Sequence, residues 1–371
     1  MRVVVTVPWG ERLGGAETML QGLLDVGADD QHELELVFLE PGPWARELEQ
    51  RGFGVTVIHA GRLRQLHLWG TAVLRLARLL RARKPDLLLN WSAKTQLYGA
   101  PAALLAGMGG RVVWWQHAIP TRSSSWVDRA ATLLPATAIG CTSHTAASAQ
   151  ERLRPRRRTL VVAAGSAPPD ASADAAPLEL PRGVPIVGLV GRLQPWKGQD
   201  RLLRAQAILR GRGHRMHTVI VGGDSYGLSP EYAASLEPLV LQLGLEGAVT
   251  MTGEVPDAGP YIAQMDILVN ASDVEPFGIV ILEGMARGAA IVAVNSGGPS
   301  EFVESGVTGM LASTAEPDAL ADALEPLLLS ASLRERIGQA GHARYVERYT
   351  TAAMRGRFFA SLEQLVDSKR D

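Results

Sequence analysis

The chain of 371 residues has a single cysteine, Cys141, so no disulfide framework can hold it together. That favours a reducing compartment, and a cytoplasmic location is expected. Cys141 lies in the apolar run ATAIGCTS and reads as a small core residue rather than a reactive thiol. No run of about 20 apolar residues occurs, so no transmembrane helix is expected. Met1 to Pro8 lacks a basic stretch followed by a long apolar one, and reads as a strand rather than a signal peptide. No D-x-D occurs, and no His or Cys cluster has metal-ligand spacing. Neither a metal nor another resident cofactor is expected, nor a nucleic-acid partner.

What is present is enough for two domains of ordinary size, with 46% hydrophobic residues and a net charge of −1. In the first half, RVVVTVP, ELELVFLE, GVTVIHA, DLLLNWS, RVVWWQH and TAIGCTS read as strands. Between them, residues 43–51, 65–83 and 93–107 have helical spacing. Strands alternating with helices imply a parallel sheet covered on both faces. Residues 163–183, rich in Ala, Pro, Asp and Ser without an apolar period, read as a linker. The alternation then restarts with VPIVGLV, HTVIVGGD, AVTMTG, DILVNAS and AAIVAV. The expected fold is α/β, with one doubly wound domain over residues 1–168 and a second over 184–350. Two such domains in tandem would place a ligand between them, at the carboxyl ends of the strands.

Three motifs sit at such strand ends. EPFGIVILE, residues 275–283, sets Glu275 in a loop and Glu283 about two turns into the helix that Phe277 and Gly278 open. The free N–H groups between them favour a phosphate. GRLQPWKG, residues 191–198, supplies Arg192 and Lys197. Two cations near a helix start argue for an anion close by, because that end of a helix disfavours positive charge. GGAE, residues 14–17, lets backbone at Gly14 and Gly15 approach a phosphate or sugar. Acid, phosphate cradle and second acid together suit a nucleotide diphosphate sugar.

These motifs, in this order, resemble those of the retaining GT-B glycosyltransferases of family 4: E-x7-E, G-R-x-x-x-x-K-G and an N-terminal G-G loop. The resemblance implies two Rossmann-like domains facing a central cleft. The first would bind the acceptor and the second the nucleotide-sugar donor, with the helix from Thr351 crossing back onto the first. It implies a metal-independent hexosyltransferase with retention, using a UDP-sugar in preference to a GDP-sugar and a saccharide or lipid-linked acceptor. Glu275 would hold sugar hydroxyls and Glu283 the ribose. Arg192 and Lys197 would take the diphosphate, and the backbone of Phe277, Gly278 and Ile279 the distal phosphate. His117, at the end of RVVWWQH, resembles a histidine near the donor sugar. Gly297–Glu301, GGPSE, also resembles a feature near the donor, although Glu301 reads equally well as a helix-start acid. Other readings of the motifs are an epimerase or phosphorylase of the same build, or a sugar-nucleotide-binding protein without catalysis.

Charge is unevenly placed. Residues 1–168 carry 20 Lys and Arg against 13 Asp and Glu, a balance of +7, and the remainder −8. Arg75, Arg78 and Arg81 step along one side of a helix whose other side, Trp69, Val73, Leu76 and Leu80, is a core stripe. A solvated face and peripheral contact with an anionic membrane at its inner surface are both consistent with this pattern. RLRPRRR, residues 152–158, forms a second basic cluster.

Overall fold

The computed structural model describes residues 1–367 except 13, 26–30, 62, 122–125, 154–156, 170–177 and 225–226. Its internal contacts define two units. Unit 1 is Met1–Ala163 together with the chain from Met354 on, and unit 2 is Ala164–Ala353. The division falls at the first residue of the Ala/Pro/Asp/Ser-rich segment, part of which lies outside the described residues. At the other crossing, Ser166 accepts from Thr351 N and donates its own N–H to Tyr349 O, both at 3.0 Å.

Unit 1 runs β1 (Arg2–Val7), α1 (Gly15–Leu24), β2 (Glu33–Phe38), α2 (Pro43–Gln50), β3 (Gly54–Val57), α3 (Leu66–Arg83), β4 (Leu87–Asn90), α4 (Ala93–Leu105), β5 (Val112–Gln116), α5 (Trp126–Leu133), β6 (Ala138–Cys141), α6 (His144–Leu153) and β7 (Thr159–Val161). All strand pairs are parallel, in the order β3-β2-β1-β4-β5-β6-β7. The central strands are apolar throughout because helices cover both faces. Val73, Leu76 and Leu80 of α3 pack with Val4, Leu88 and Trp114 of the sheet. Cys141 is fully buried in β6, and burial pushes its thiol up to about 12, so it is inert.

Unit 2 repeats the scheme: β8 (Ile186–Val190), α7 (Gln199–Gly211), β9 (His217–Val221), α8 (Pro230–Gln242), β10 (Val249–Met251), α9 (Gly259–Ile262), β11 (Ile267–Asn270), α10 (Ile279–Ala286), β12 (Ala290–Val294), α11 (Pro299–Phe302), β13 (Met310–Ala312), α12 (Pro317–Leu329) and α13 (Ala331–Arg348). The last helix, α14 (Thr351–Asp367), passes into unit 1, where Phe358, Leu362 and Leu365 are buried. The sheet order is β10-β9-β8-β11-β12-β13, again parallel. Both edge strands β7 and β13 are missing from the sequence reading, since three residues beside a charged run or a turn show no period.

Each sheet has one point where the strand order reverses: between β1 and β4 in unit 1, and between β8 and β11 in unit 2. Ligands of doubly wound sheets bind beyond the strand ends at such a point. The residues that follow β8 and β11 are GRLQPWKG and the EPFG loop; those that follow β1 and β4 are the glycine loop and Trp91.

Candidate active site

In unit 2 the two motifs are joined by one contact across 78 residues. Lys197 Nζ donates to Glu275 Oε2 at 2.6 Å, with the two side chains only 16% and 10% exposed. The same oxygen accepts from Ser272 Oγ at 3.0 Å and Asn270 Nδ2 at 3.3 Å. Three donors therefore fix Glu275 through one oxygen, and no described residue donates to the other. The loop acid expected to wait for a ligand is already an ion-pair partner. Its charge is held at a buried position because the pair is hydrogen-bonded as well as close.

The backbone around the pair is clamped. Arg201 donates to Pro195 O at 3.0 Å and Trp196 O at 3.2 Å, and pairs with Asp273. Asp273 N donates to Trp196 O at 3.0 Å, and Gln199 Nε2 to Arg192 O at 2.9 Å. Lys197 Nζ lies 4.1 Å from the Trp196 ring centroid, a cation–π contact. Arg192 is different. Its guanidinium has no hydrogen-bond or ion-pair partner among the described residues. The anion that the cations implied is therefore Glu275 for Lys197, and no described residue supplies one for Arg192.

Helix α10 begins at Ile279, because Gly278 turns the chain with a φ of 96°, a conformation that favours glycine. No side chain caps that end, so the N–H groups of its first turn keep their anion-binding capacity. Glu283 is the fifth residue of α10, one turn in rather than two. It is partly exposed rather than sealed in the core, and its carboxylate has no hydrogen-bond partner among the described residues. Crowding by the surrounding protein raises its pKa, opposed by the Arg287 charge and reinforced by Asp257. Gly298 N donates to Glu275 O at 2.8 Å, and a Cβ at Gly298 would lie 2.4 Å from Phe277 Cα. The GGPSE segment thus presses backbone against the EPFG loop. Glu301 is exposed in α11, in the first turn of that short helix.

Unit 1 gathers its candidates at its own reversal point. His117 follows β5, and its Nε2 lies 2.8 Å from Trp91 O. A carbonyl can only accept, so Nε2 carries the proton and Nδ1 is the bare acceptor. Burial lowers this imidazole to about 4, against a smaller upward pull from the Trp91 hydrogen bond. The ring is therefore neutral near pH 7. Trp91 also packs edgewise on His117, stacks on Trp115, and donates Nε1–H to Ala16 O at 3.0 Å. Trp115 in turn packs on Phe358 of α14, centroids 4.7 Å apart. One tryptophan thereby ties the glycine loop, His117 and the last helix together. Gly14 is exposed, with an extended φ of 165°, and a Cβ there would meet nothing within 4 Å. Its own packing gives no reason for glycine.

Sequence reasoning missed Asn270, Ser272, Asp273 and Arg201, which hold the EPFG loop, and Trp91, Trp115 and Phe358. Asn270 and Ser272 had a faint signal as the polar residues that close the apolar run DILVNAS, whereas Asp273 and Arg201 had none. Trp91 and Trp115 stood in the runs DLLLNWS and RVVWWQH, where they read only as apolar strand or strand-end residues. Among the described residues no group of three His, Cys, Asp or Glu is arranged to hold a metal, and no helix is long and apolar enough to cross a membrane.

Two parallel-sheet Rossmann-like units, with a glycine loop at one reversal point and charged motifs at the other, define the architecture, and comparison with known proteins identifies the family that has it. The profile for Glycosyltransferase Family 4 matches residues 13–166, and that for Glycosyl transferases group 1 matches residues 170–344. The chain belongs to the family 4 glycosyltransferases of GT-B fold. It is 27% identical over 344 residues to the lipopolysaccharide core biosynthesis glycosyltransferase LpsE of Rhizobium meliloti (strain 1021), covering 92% of this chain and 93% of that one. A D-inositol 3-phosphate glycosyltransferase of Nocardia farcinica is 37% identical over 177 residues, 46% of this chain and 39% of that relative. Among solved structures, Anabaena Alr3699/HepE in complex with UDP and glucose superposes with a TM-score of 0.82 at 24% identity, covering 97% and 99% of the two chains.

Proposed function

We propose that this glycosyltransferase moves a hexose from a UDP-sugar to an acceptor hydroxyl, with retention of configuration and without a metal ion. The observation that carries the reading is the Lys197–Glu275 contact, which draws the two motifs of unit 2 to one sheet edge beside an unpartnered Arg192 and the uncapped start of α10. Arg192 and the N–H groups of Phe277, Gly278 and Ile279 take the diphosphate, with Lys197 adding charge from its place beside Glu275. The second oxygen of Glu275 accepts from sugar hydroxyls. Glu283, a carboxylate without a hydrogen-bond partner among the described residues, accepts from the ribose hydroxyls. At unit 1, Gly14 and Gly15 offer backbone N–H groups, and His117 Nδ1 accepts from a hydroxyl. Fixed cations and a helix start neutralise the leaving group as charge develops, which is the task a metal performs in other designs. The carbon–oxygen bond to the diphosphate breaks with its electrons leaving on UDP. The acceptor oxygen bonds the same sugar face, and its proton passes to the departing phosphate. UDP is favoured over GDP because the Anabaena neighbour was solved with UDP, with UDP and glucose, and with UDP-glucose. The name of LpsE, a lipopolysaccharide core biosynthesis glycosyltransferase, supports a saccharide or lipid-linked acceptor.

Thermal melting with a panel of UDP- and GDP-sugars tests this. A donor at about 100 times its dissociation constant should stabilise the fold by roughly 2.7 kcal/mol. Stabilisation by GDP-sugars alone would overturn the nucleotide assignment, and no stabilisation by any sugar nucleotide would overturn the donor site.

A further inference from the structure

Between Glu49 and Asp128 the sequence has one acid, Asp86, against 11 Lys and Arg. In the fold, α4 packs between α3 and α5, so these helices lie side by side on one flank of unit 1. Neither α3 nor α4 contains an acid, and α5 has only the partly buried Asp128. Arg75, Arg78 and Arg129 are exposed and have no hydrogen-bond or ion-pair partner among the described residues.

The same flank carries apolar side chains that unit 1 does not cover. Leu66 and Leu74 of α3, Leu104 and Leu105 of α4, and Trp126 and Leu133 of α5 are each between 47% and 74% exposed. Only Val57 is exposed to a comparable degree elsewhere in unit 1 among the large apolar residues described. The patch is continuous at its centre. Leu74, Arg78 and Arg81 fall on one helical line, at spacings of four and three. Arg81 then donates to Leu105 O at the exposed end of α4. Leucines and arginines are thus interleaved; Arg83 pairs with Glu35 and Lys94 with Glu40 at the margins, which leaves Arg75, Arg78 and Arg129 as the unpaired charge of the flank among the described residues. Scattered apolar residues need no explanation, whereas a clustered set ringed by one sign of charge does.

We propose that the α3–α4–α5 flank is a docking surface for an anionic lipid bilayer. Charge complementarity selects that occupant: arginines without acids attract a negative lipid surface, while leucines and a tryptophan enter the headgroup boundary. An acidic protein would match the charge but leave the exposed leucines without a reason to be interleaved with it. The arginines by themselves give an electrostatic attraction that fades as salt rises. The exposed Leu and Trp add an apolar contribution that salt does not screen. The inference stands on unit 1 and does not depend on the donor assignment.

Sedimentation of the full chain tests it, with vesicles of phosphatidylcholine alone and of phosphatidylcholine mixed with phosphatidylglycerol, at low and at ~0.15 M salt. The wild type should bind the mixed vesicles more strongly than the neutral ones and keep part of that binding at the higher salt. Arg75→Ala with Arg78→Ala should weaken it about 25-fold, at roughly 1 kcal/mol or about fivefold per cation. Leu74→Ser with Leu104→Ser should remove the salt-resistant part. Arg204→Ala with Arg336→Ala, exposed positions in unit 2, should bind like the wild type. All four substituted positions on the flank are exposed, and unchanged melting temperatures verify folding. Equal binding to both vesicle types, binding to neither, or unaltered binding by the arginine and leucine variants would each overturn the proposal.

Discussion

Arg192 and Lys197 lie five residues apart, yet the structure gives them different duties. Lys197 is paired with Glu275, whereas Arg192 has no ion-pair partner among the described residues. Glu275→Gln keeps the shape of the loop but removes the negative partner of Lys197 and the acceptor for sugar hydroxyls. Turnover should fall about 10- to 150-fold, the effect of losing a charged hydrogen bond of 1.5–3 kcal/mol, while UDP affinity holds or rises because Lys197 is released. Kinetics and titration of the same variant check both halves, and unaltered turnover would remove Glu275 from the site. His117 gives a test in pH. Its folded imidazole, lowered to about 4, stays neutral where an unfolded histidine near 6.5 is protonated. The unfolded state then binds the extra proton, so the contribution of His117 to stability is complete above about pH 6.5 and is lost as pH falls towards 4. Glu283 acts in the opposite sense, because a raised carboxyl costs stability as pH rises through its window. The difference between wild type and His117→Phe isolates the histidine. It should show a slope approaching 1.4 kcal/mol per pH unit between pH 4 and 6.5, measured by denaturant unfolding. Parallel curves would show that the ring is not held neutral.

At the scale of elements, the donor loop is set by backbone approaching backbone, and the glycines sort by it. Gly298→Ala would drive a Cβ to 2.4 Å from Phe277 Cα. Main chain cannot yield as a flexible side chain can, so a loss of about 1–3 kcal/mol in stability is expected, together with weaker UDP binding. Gly14→Ala meets open space in an extended backbone, and stability should stay within about 0.5 kcal/mol. If a ligand approaches there, transfer should drop all the same. Full activity in Gly14→Ala would leave that glycine without a function. The contrast also shows what was legible in advance. Val73, Leu76 and Leu80 announced the buried face of α3 because 3.6-residue periodicity survives in the sequence. The contact of Gly298 with Phe277 did not, since it joins residues 21 positions apart with all of α10 and β12 between them. β7 and β13 were invisible for a related reason: each is three residues long and adjoins a basic run or a turn, whereas the equally short edge strand β10 was legible within AVTMTG.

For the whole molecule, two copies of one sheet plan put all three charged or glycine-rich motifs beyond strand ends, and this much could be read from the order of strands, helices and motifs. The identity of the clamps could not. Lys197 reaches Glu275 across 78 residues, and Trp91 brings together Ala16 and the Trp115–His117 segment, so that three separate parts of the chain meet. Such partners are decided by which strands lie side by side, which follows from the fold rather than from any spacing in the sequence.

The central claim is that unit 2 holds a nucleotide diphosphate with fixed cations and a helix start rather than with a metal. Calorimetric titration of UDP into the full chain in EDTA tests it most directly, repeated with added manganese and with Arg192→Ala. The account predicts binding in EDTA, no gain in affinity from manganese, and a loss of about 10- to 150-fold in Arg192→Ala, the range for one charge-assisted partner. Binding that appears only with manganese, or an Arg192→Ala protein that binds UDP like the wild type, would contradict it.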